Sequence, residues 1–247
     1  MVDENVLFIT GQATYIDDLD VPILAGAAHA VFVRSTAAHA RIRVDLDSAR
    51  GAPGVLVAIA AADNPILPTL AYSPDHPLRF AQPLLAEHKV RYVGEPVAVV
   101  VAATRAQAVD AAELVVIDYD ELTPVLSTHD ALFSDVRLFD LPDQARLGAH
   151  SGVADTETTN VIRTHVDDGL GQRFEPAVFE NADVVIEHEF RNPRQLAAPI
   201  ECRGATATWT DDGHLHVWVS TQTPHSYRSR IAPMYDLALS SIHVIAG

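Results

Sequence analysis

Between residues 96 and 119 the hydrophobic pattern changes period twice, which restricts this stretch to strand, helix and strand packed as layers. Residues 96–101 (PVAVVV) are a short run of small and β-branched apolar side chains, as in a buried strand. Thr104 then offers a hydroxyl to cap a helix, with Gln107 three positions on as in a capping box, and Ala106, Val109 and Leu114 fall near one face. Residues 114–119 (LVVIDY) return to a strand pattern. Residues 27–34 (AAHAVFVR) and 55–60 (VLVAIA) share this β-rich composition and are expected as further buried strands, so a small α/β module ends near Leu126.

From Ser127 to about Asn160 apolar residues thin out, and Pro142, Gly148 and Gly152 interrupt any regular pattern, so a linker is expected over 127–160. A second β-rich segment follows. Residues 182–190 (ADVVIEHEF) read as a strand, and residues 204–210 and 215–220 read as two arms joined through Asp211, Asp212 and Gly213, a hairpin signal. Thr223 can cap and Pro224 is tolerated in a first helical turn, so a short helix is expected there, ending or kinking before Pro233. Residues 242–246 (IHVIA) read as another buried strand. No internal repeat is apparent.

Charge excludes some classes of partner. The chain carries 17 Lys and Arg against 33 Asp and Glu, a net charge of −16, which opposes broad attraction to phosphate backbones and anionic headgroups. Nucleic acid and membrane are therefore not expected partners. Cys202 is the only cysteine, so no internal disulfide and no cysteine-held zinc or iron–sulfur centre is expected, and any redox centre must come from elsewhere. The opening residues (MVDENVLFIT) are acidic where a signal peptide is basic, and the longest apolar runs, 54–62 and 96–103, are too short to span a bilayer. A cytoplasmic location is expected.

Several segments carry a family resemblance. Residues 10–18 (TGQATYIDD), 33–42 (VRSTAAHARI), 89–101 (KVRYVGEPVAVVV) and the following TRAQAVDAAELVVIDYDELTPV stand in the order found in the α/β hammerhead domain of the large subunit of xanthine dehydrogenase, aldehyde oxidase and aerobic carbon monoxide dehydrogenase type enzymes. Residues 199–204 (PIECRG) and 217–225 (VWVSTQTPH) resemble the opening pieces of that subunit's first molybdopterin-binding domain, with Cys202 where proline is usual. His243 stands where arginine is usual. The resemblance implies an α+β fold: a hammerhead domain over 10–126, a linker over 127–160 and the incomplete start of a molybdopterin-binding domain over 161–247.

The family's STQ glutamine donates its amide to an oxo ligand of molybdenum, and the resemblance carries that role to Gln222, where a strand ends and a helix begins. No catalytic residue and no metal ligand is assigned. His214 and His216 share one side of a strand, but with no third ligand in view they read as ordinary solvent-facing histidines. Glu201 and Arg203 flank Cys202 and are expected to alternate with it across a strand, with a buried ion pair or an intersubunit contact as likely as a site role. Gly94 reads as a turn or bulge rather than a ligand loop, and Asp17 and Asp18 as neighbours pointing apart on an extended chain.

The resemblance implies oxidation at molybdenum with water-derived oxygen, of carbon monoxide, an aldehyde or an N-heterocycle, in a subunit completed by a C-terminal part and served by iron–sulfur and flavin (FAD) subunits. The family's Gly-rich loop, most pterin contacts and catalytic glutamate are not in this sequence, so the isolated chain is expected to be inactive. The alternative is a non-catalytic assembly or interaction module from a split or decayed gene.

Overall fold

The computed structural model describes residues 4–63, 69–70, 80, 82–140, 160–162 and 179–246. Helices and sheets are mixed in the α+β manner expected. Numbered along the chain, the helices are α1 (Glu4–Ile9), α2 (Asp47–Arg50), α3 (Arg105–Ala112), α4 (Thr128–Phe133) and α5 (Pro224–Met234). The strands are β1 (His29–Arg34), β2 (Ala40–Asp45), β3 (Val55–Ala60), β4 (Thr69–Leu70), β5 (Gln82–Pro83), β6 (Lys89–Val90), β7 (Pro96–Ala102), β8 (Val116–Glu121), β9 (Ala205–Trp209), β10 (Leu215–Val219) and β11 (Ile242–Ile245). Contacts divide the chain into two units, residues 28–188 and residues 1–27 together with 189–247.

In the first unit β7 lies between β1 and β3, antiparallel to both. Its two faces bury different partners. Val97 packs with Ala40, Ile42, Ala86 and Val90, while Ala98 and Val100 pack with residues of α2, β3, α3 and the loops beside them. Val97 and Val100 are fully buried, and each such valine contributes about 1.5–3 kcal/mol relative to exposure. β1 and β3 are less buried than their apolar runs suggest, with Phe32 and Leu56 exposed, because an edge strand has a neighbour on one side only. β2 forms a second sheet between β6 and β8.

The helix after β7 is capped as expected: the Thr104 hydroxyl accepts from the Gln107 backbone N–H at 3.3 Å. Its buried face is different from the expected one. Ala108 and Ala111 are buried, Ala111 against Ala49, Ala58 and Val100, whereas Ala106, Val109 and Leu114 are exposed. A helix laid closely on a sheet puts its smallest side chains inward, and a helix with so little apolar contrast does not declare that face in its sequence. β8 begins two residues later than expected because residues 113–115 close the helix in a turn.

Within the expected linker, Ser127 caps α4 by accepting from the Asp130 N–H at 3.0 Å. Asn160 donates to the Val136 carbonyl at 2.8 Å and accepts from the Leu138 N–H at 3.1 Å. Residues 141–159, including Pro142, Gly148 and Gly152, lie outside the described residues.

The turn before β7 is built on a buried ion pair. Arg91 Nη1 donates to Glu95 at 2.8 Å, the Arg91 backbone N–H donates to the other carboxylate oxygen, and the guanidinium stands 4.9 Å from the Phe139 ring centroid. Glu95 is 4% exposed. Gly94 makes the turn with φ +91°, a conformation that favours glycine, and its N–H donates to the Ser35 carbonyl while the Ser35 N–H donates to the Glu95 carbonyl.

The second unit carries a three-stranded sheet in the order β11, β10, β9. β9 and β10 form the expected hairpin, with Gly213 at φ +82° and the Thr210 hydroxyl bonded to Asp212. β11 is parallel to β10, joined to it through α5, which covers Leu215, Val217 and Val219 with Tyr227, Ile231 and Ala232. Pro233 lies inside α5 rather than beyond it. In the last turn it forfeits a single helical bond, and the helix ends one residue later. Thr223 makes no side-chain cap, so Pro224 alone marks the start.

Two expected strands are absent. Residues 182–190 form no strand among the described residues, and neither do residues 201–203. An extended segment becomes a strand only when a neighbour takes up its backbone groups. Asp17 and Asp18 also differ, since they lie in a 3-10 turn (Ile16–Asp18) rather than on an extended chain.

Breaking the buried pair with Glu95→Ala should lower unfolding stability by about 3–5 kcal/mol, because it strands the Arg91 charge. Urea denaturation followed by circular dichroism measures this, and a loss below about 1 kcal/mol would show that the pair does not hold the turn. A second test uses pH. Asp63 accepts from the Ala60 N–H at 2.9 Å and pairs with Arg50 Nη2 at 2.6 Å, which together hold its carboxyl below the ordinary aspartate value of 3.8. The resulting stabilisation is present above that value and is lost as pH falls through the lower, folded one. Asp63→Asn should therefore flatten the acid limb of the stability curve while leaving its shape near neutrality unchanged.

Candidate functional site

β10 ends at Val219 and α5 begins at Pro224, with Gln222 exposed in the bend between them. The sequence places Gln222 at such a junction, and the structure brings the junction to the C-terminal end of a strand that has a parallel neighbour, where open α/β sheets bind ligands. The carboxamide offers two donors and one acceptor there.

Three stretches far apart in sequence meet beside this bend. Ser220 Oγ accepts from the Gly204 N–H at 3.1 Å, and the Ser220 N–H donates to the Gly204 carbonyl at 3.2 Å. A Cβ added to Gly204 would come within 3.1 Å of the Ile16 side chain, which would have to give by a few tenths of an ångström to admit it. Glu201 Oε1 in turn accepts from the Ile16 N–H at 3.0 Å. The TYIDD, IECRG and STQ stretches are thus held together by bonds spanning up to 185 residues. Sequence reasoning left Glu201 open between an ion pair, an intersubunit contact and a site role. The structure gives it a backbone contact, and no local pattern signals a partner so distant in sequence. Cys202 and Arg203 are exposed.

His216 lies on the side of β10 opposite the face that α5 covers, with His214 just before the strand, and there the structure adds a residue that sequence spacing alone did not supply. His243 on β11 pairs with His216 in register and stacks on it, with ring centroids 4.7 Å apart and 17° between planes. His214 Nδ1 lies 3.2 Å from Asp212, whose carboxyl is held below the usual range by the Thr210 hydroxyl first and by His214 second. His214 and His216 are both partly buried rather than freely solvated. Among the described residues no group of three or more His, Cys, Asp and Glu side chains is arranged to hold a metal ion.

The first unit has a cavity of about 390 Å³ lined by His39, Arg41, Lys89, Arg137 and Asp140 among others. Two of its cations have partners close by. Lys89 Nζ sits 2.6 Å from Asp140, and Arg137 donates to backbone carbonyls.

The sequence profile of the aldehyde oxidase and xanthine dehydrogenase a/b hammerhead domain matches residues 10–123, and that of the molybdopterin cofactor-binding domain matches residues 153–247. The chain belongs to the xanthine dehydrogenase and carbon monoxide dehydrogenase family of large subunits. It is 34% identical, over 98% of its length, to the carbon monoxide dehydrogenase large chain of Afipia carboxidovorans. It is 35% identical, over 90% of its length, to the nicotine 6-hydroxylase large subunit of Paenarthrobacter nicotinovorans. Among solved structures it resembles quinoline 2-oxidoreductase from Pseudomonas putida 86 (TM-score 0.78, 31% identity), covering 98% of this chain and 29% of that one. It likewise resembles the Cu,Mo-CO dehydrogenase (TM-score 0.78, 32% identity), covering 98% of this chain and 30% of that one. The chain spans 29% of the length of the Afipia carboxidovorans relative and 25% of the nicotine 6-hydroxylase subunit. No helix among the described residues is long and apolar enough to cross a membrane.

Glu201→Ala should leave the Ile16 N–H without its partner and cost about 1–2 kcal/mol, while Glu201→Gln keeps an acceptor in place and costs less. The only tryptophans, Trp209 and Trp218, both lie in the unit that contains this link, so denaturation followed by their fluorescence reads it directly. Equal losses for Ala and Gln would show that the acceptor is not what matters.

Proposed function

We propose that this chain is the N-terminal portion of the large subunit of a molybdenum hydroxylase, and that Gln222 faces the molybdopterin cofactor in the completed subunit. The observation that carries the reading is the position of Gln222, exposed at the C-terminal end of β10 and at the start of α5, with the IECRG and TYIDD stretches gathered beside it. The cofactor would supply the two-electron oxidation of substrate. A neutral carboxamide fits such a group, because it presents N–H donors to anionic oxygens and brings no competing charge. Ser220 supports the bend from beneath by its bonds to Gly204, so the donor is held by backbone rather than by a flexible loop.

On this reading the functional modules are a hammerhead domain over 10–126, a linker over 127–160 and the start of a cofactor domain over 161–247. The remaining pterin contacts and the catalytic base belong to a C-terminal part of the subunit. Iron–sulfur and FAD groups on partner subunits would supply the electron acceptors. The enzyme works in the cytoplasm. The chain alone lacks turnover, since one amide cannot anchor a pterin cofactor.

Two measurements test this. The purified chain alone should hold no stoichiometric molybdenum and oxidise no aldehyde, purine or carbon monoxide; a full complement of metal in the isolated chain contradicts the reading. In the completed subunit, Gln222→Glu should lower turnover by more than about tenfold at equal molybdenum content, because an ionised carboxylate of nearly the same shape only accepts. Gln222→Ala should be less damaging, since water can enter and donate in its place. Equal turnover for Gln222→Glu and wild type at full occupancy removes Gln222 from the site.

A further inference from the structure

Asp183, Val184, Val185, Ile186 and Glu187 have the composition of a half-buried strand yet belong to no sheet among the described residues. Val184 is 76% exposed and Ile186 is 86% exposed. With the period of two that an extended chain imposes, these β-branched side chains fall on one face, and Asp183 and Glu187 fall on the other with Val185 between them. Two aliphatic residues held in water beside open backbone donors and acceptors form a template for strand addition.

We infer that residues 183–187 are the docking edge for a β-strand supplied by the remainder of the same large subunit. The inference rests on the proposed function and adds the place and chemistry of the contact. The occupant follows from two observations. The segment lies inside the stretch matched by the molybdopterin cofactor-binding domain, and relatives containing that stretch are more than three times longer than the part this chain spans. The incoming strand is specified on both faces. Opposite Val184 and Ile186 it carries β-branched or aromatic residues, and opposite Asp183 and Glu187 it carries Lys or Arg, because cross-strand pairs of opposite charge stabilise a ladder and like charges oppose it. A second acidic strand is excluded by the same rule.

The test compares the full chain alone with the chain mixed with the part of the Afipia carboxidovorans carbon monoxide dehydrogenase large chain that lies beyond the match. Amide hydrogen exchange read by mass spectrometry should find residues 184–187 exchanging within about tenfold of the free-peptide rate in the chain alone, and at least about 100-fold slower in the mixture. The double variant Val184→Ser, Ile186→Ser should leave the chain's own circular dichroism and melting temperature unchanged, since both side chains are exposed there, yet weaken binding of the added polypeptide by at least about tenfold. Val184→Ile should retain binding. Binding that adds no protection at 184–187, or that the double variant does not weaken, overturns the docking edge and leaves the proposed function standing. No binding by any form of the chain overturns both.

Discussion

The first unit depends on one strand that is covered from every side. β7 takes β1 and β3 at its two edges, the β2 sheet on the face of Val97, and α2 with α3 on the face of Ala98 and Val100. Such a strand tolerates little change in volume, because a buried methylene added or removed is felt by neighbours already at close packing. Its alanines matter as much as its valines. Ala98 and Ala102 are fully buried in the strand, and Ala108 and Ala111 are buried on α3, where Ala111 packs with Val100.

The approach to β7 explains why ionic groups are buried next to this core. Pro96 begins the strand without a backbone donor, and just before it Glu95 is enclosed with Arg91, while Gly94 reverses the chain with a conformation that an L side chain resists. A buried pair is weak as a source of stability but costly to leave half-made. Here it orients a turn whose backbone is also bound to Ser35, so the first residues of β7 and the end of β1 are set by one local network.

In the second unit the same logic works at longer range. Glu201, Gly204 and Ser220 connect the N-terminal stretch, the chain before β9 and the bend after β10. The bend that carries Gln222 is therefore set by residues from three distant stretches of the chain. Parallel pairing of β10 and β11 requires a crossover, and α5 supplies it, which is why a helix start lies beside the end of β10 at all.

Much of this was legible in the linear chain wherever the signal is local. The cap at Thr104, the turn at Gly94, the hairpin at Gly213, the span of β3 and the strand-to-helix junction at Gln222 all follow from side-chain chemistry within a few residues. Tertiary structure alone decided the rest. It chose Ala108 and Ala111 as the inward face of α3, because the sheet sets how near a helix must come. It exposed much of β1 and β3 by making them edges, kept Pro233 within the last turn of α5, and set His243 against His216 through strand register. It also denied residues 182–190 a ladder, since β-propensity is a readiness to pair and pairing needs a neighbour that the segment cannot provide for itself.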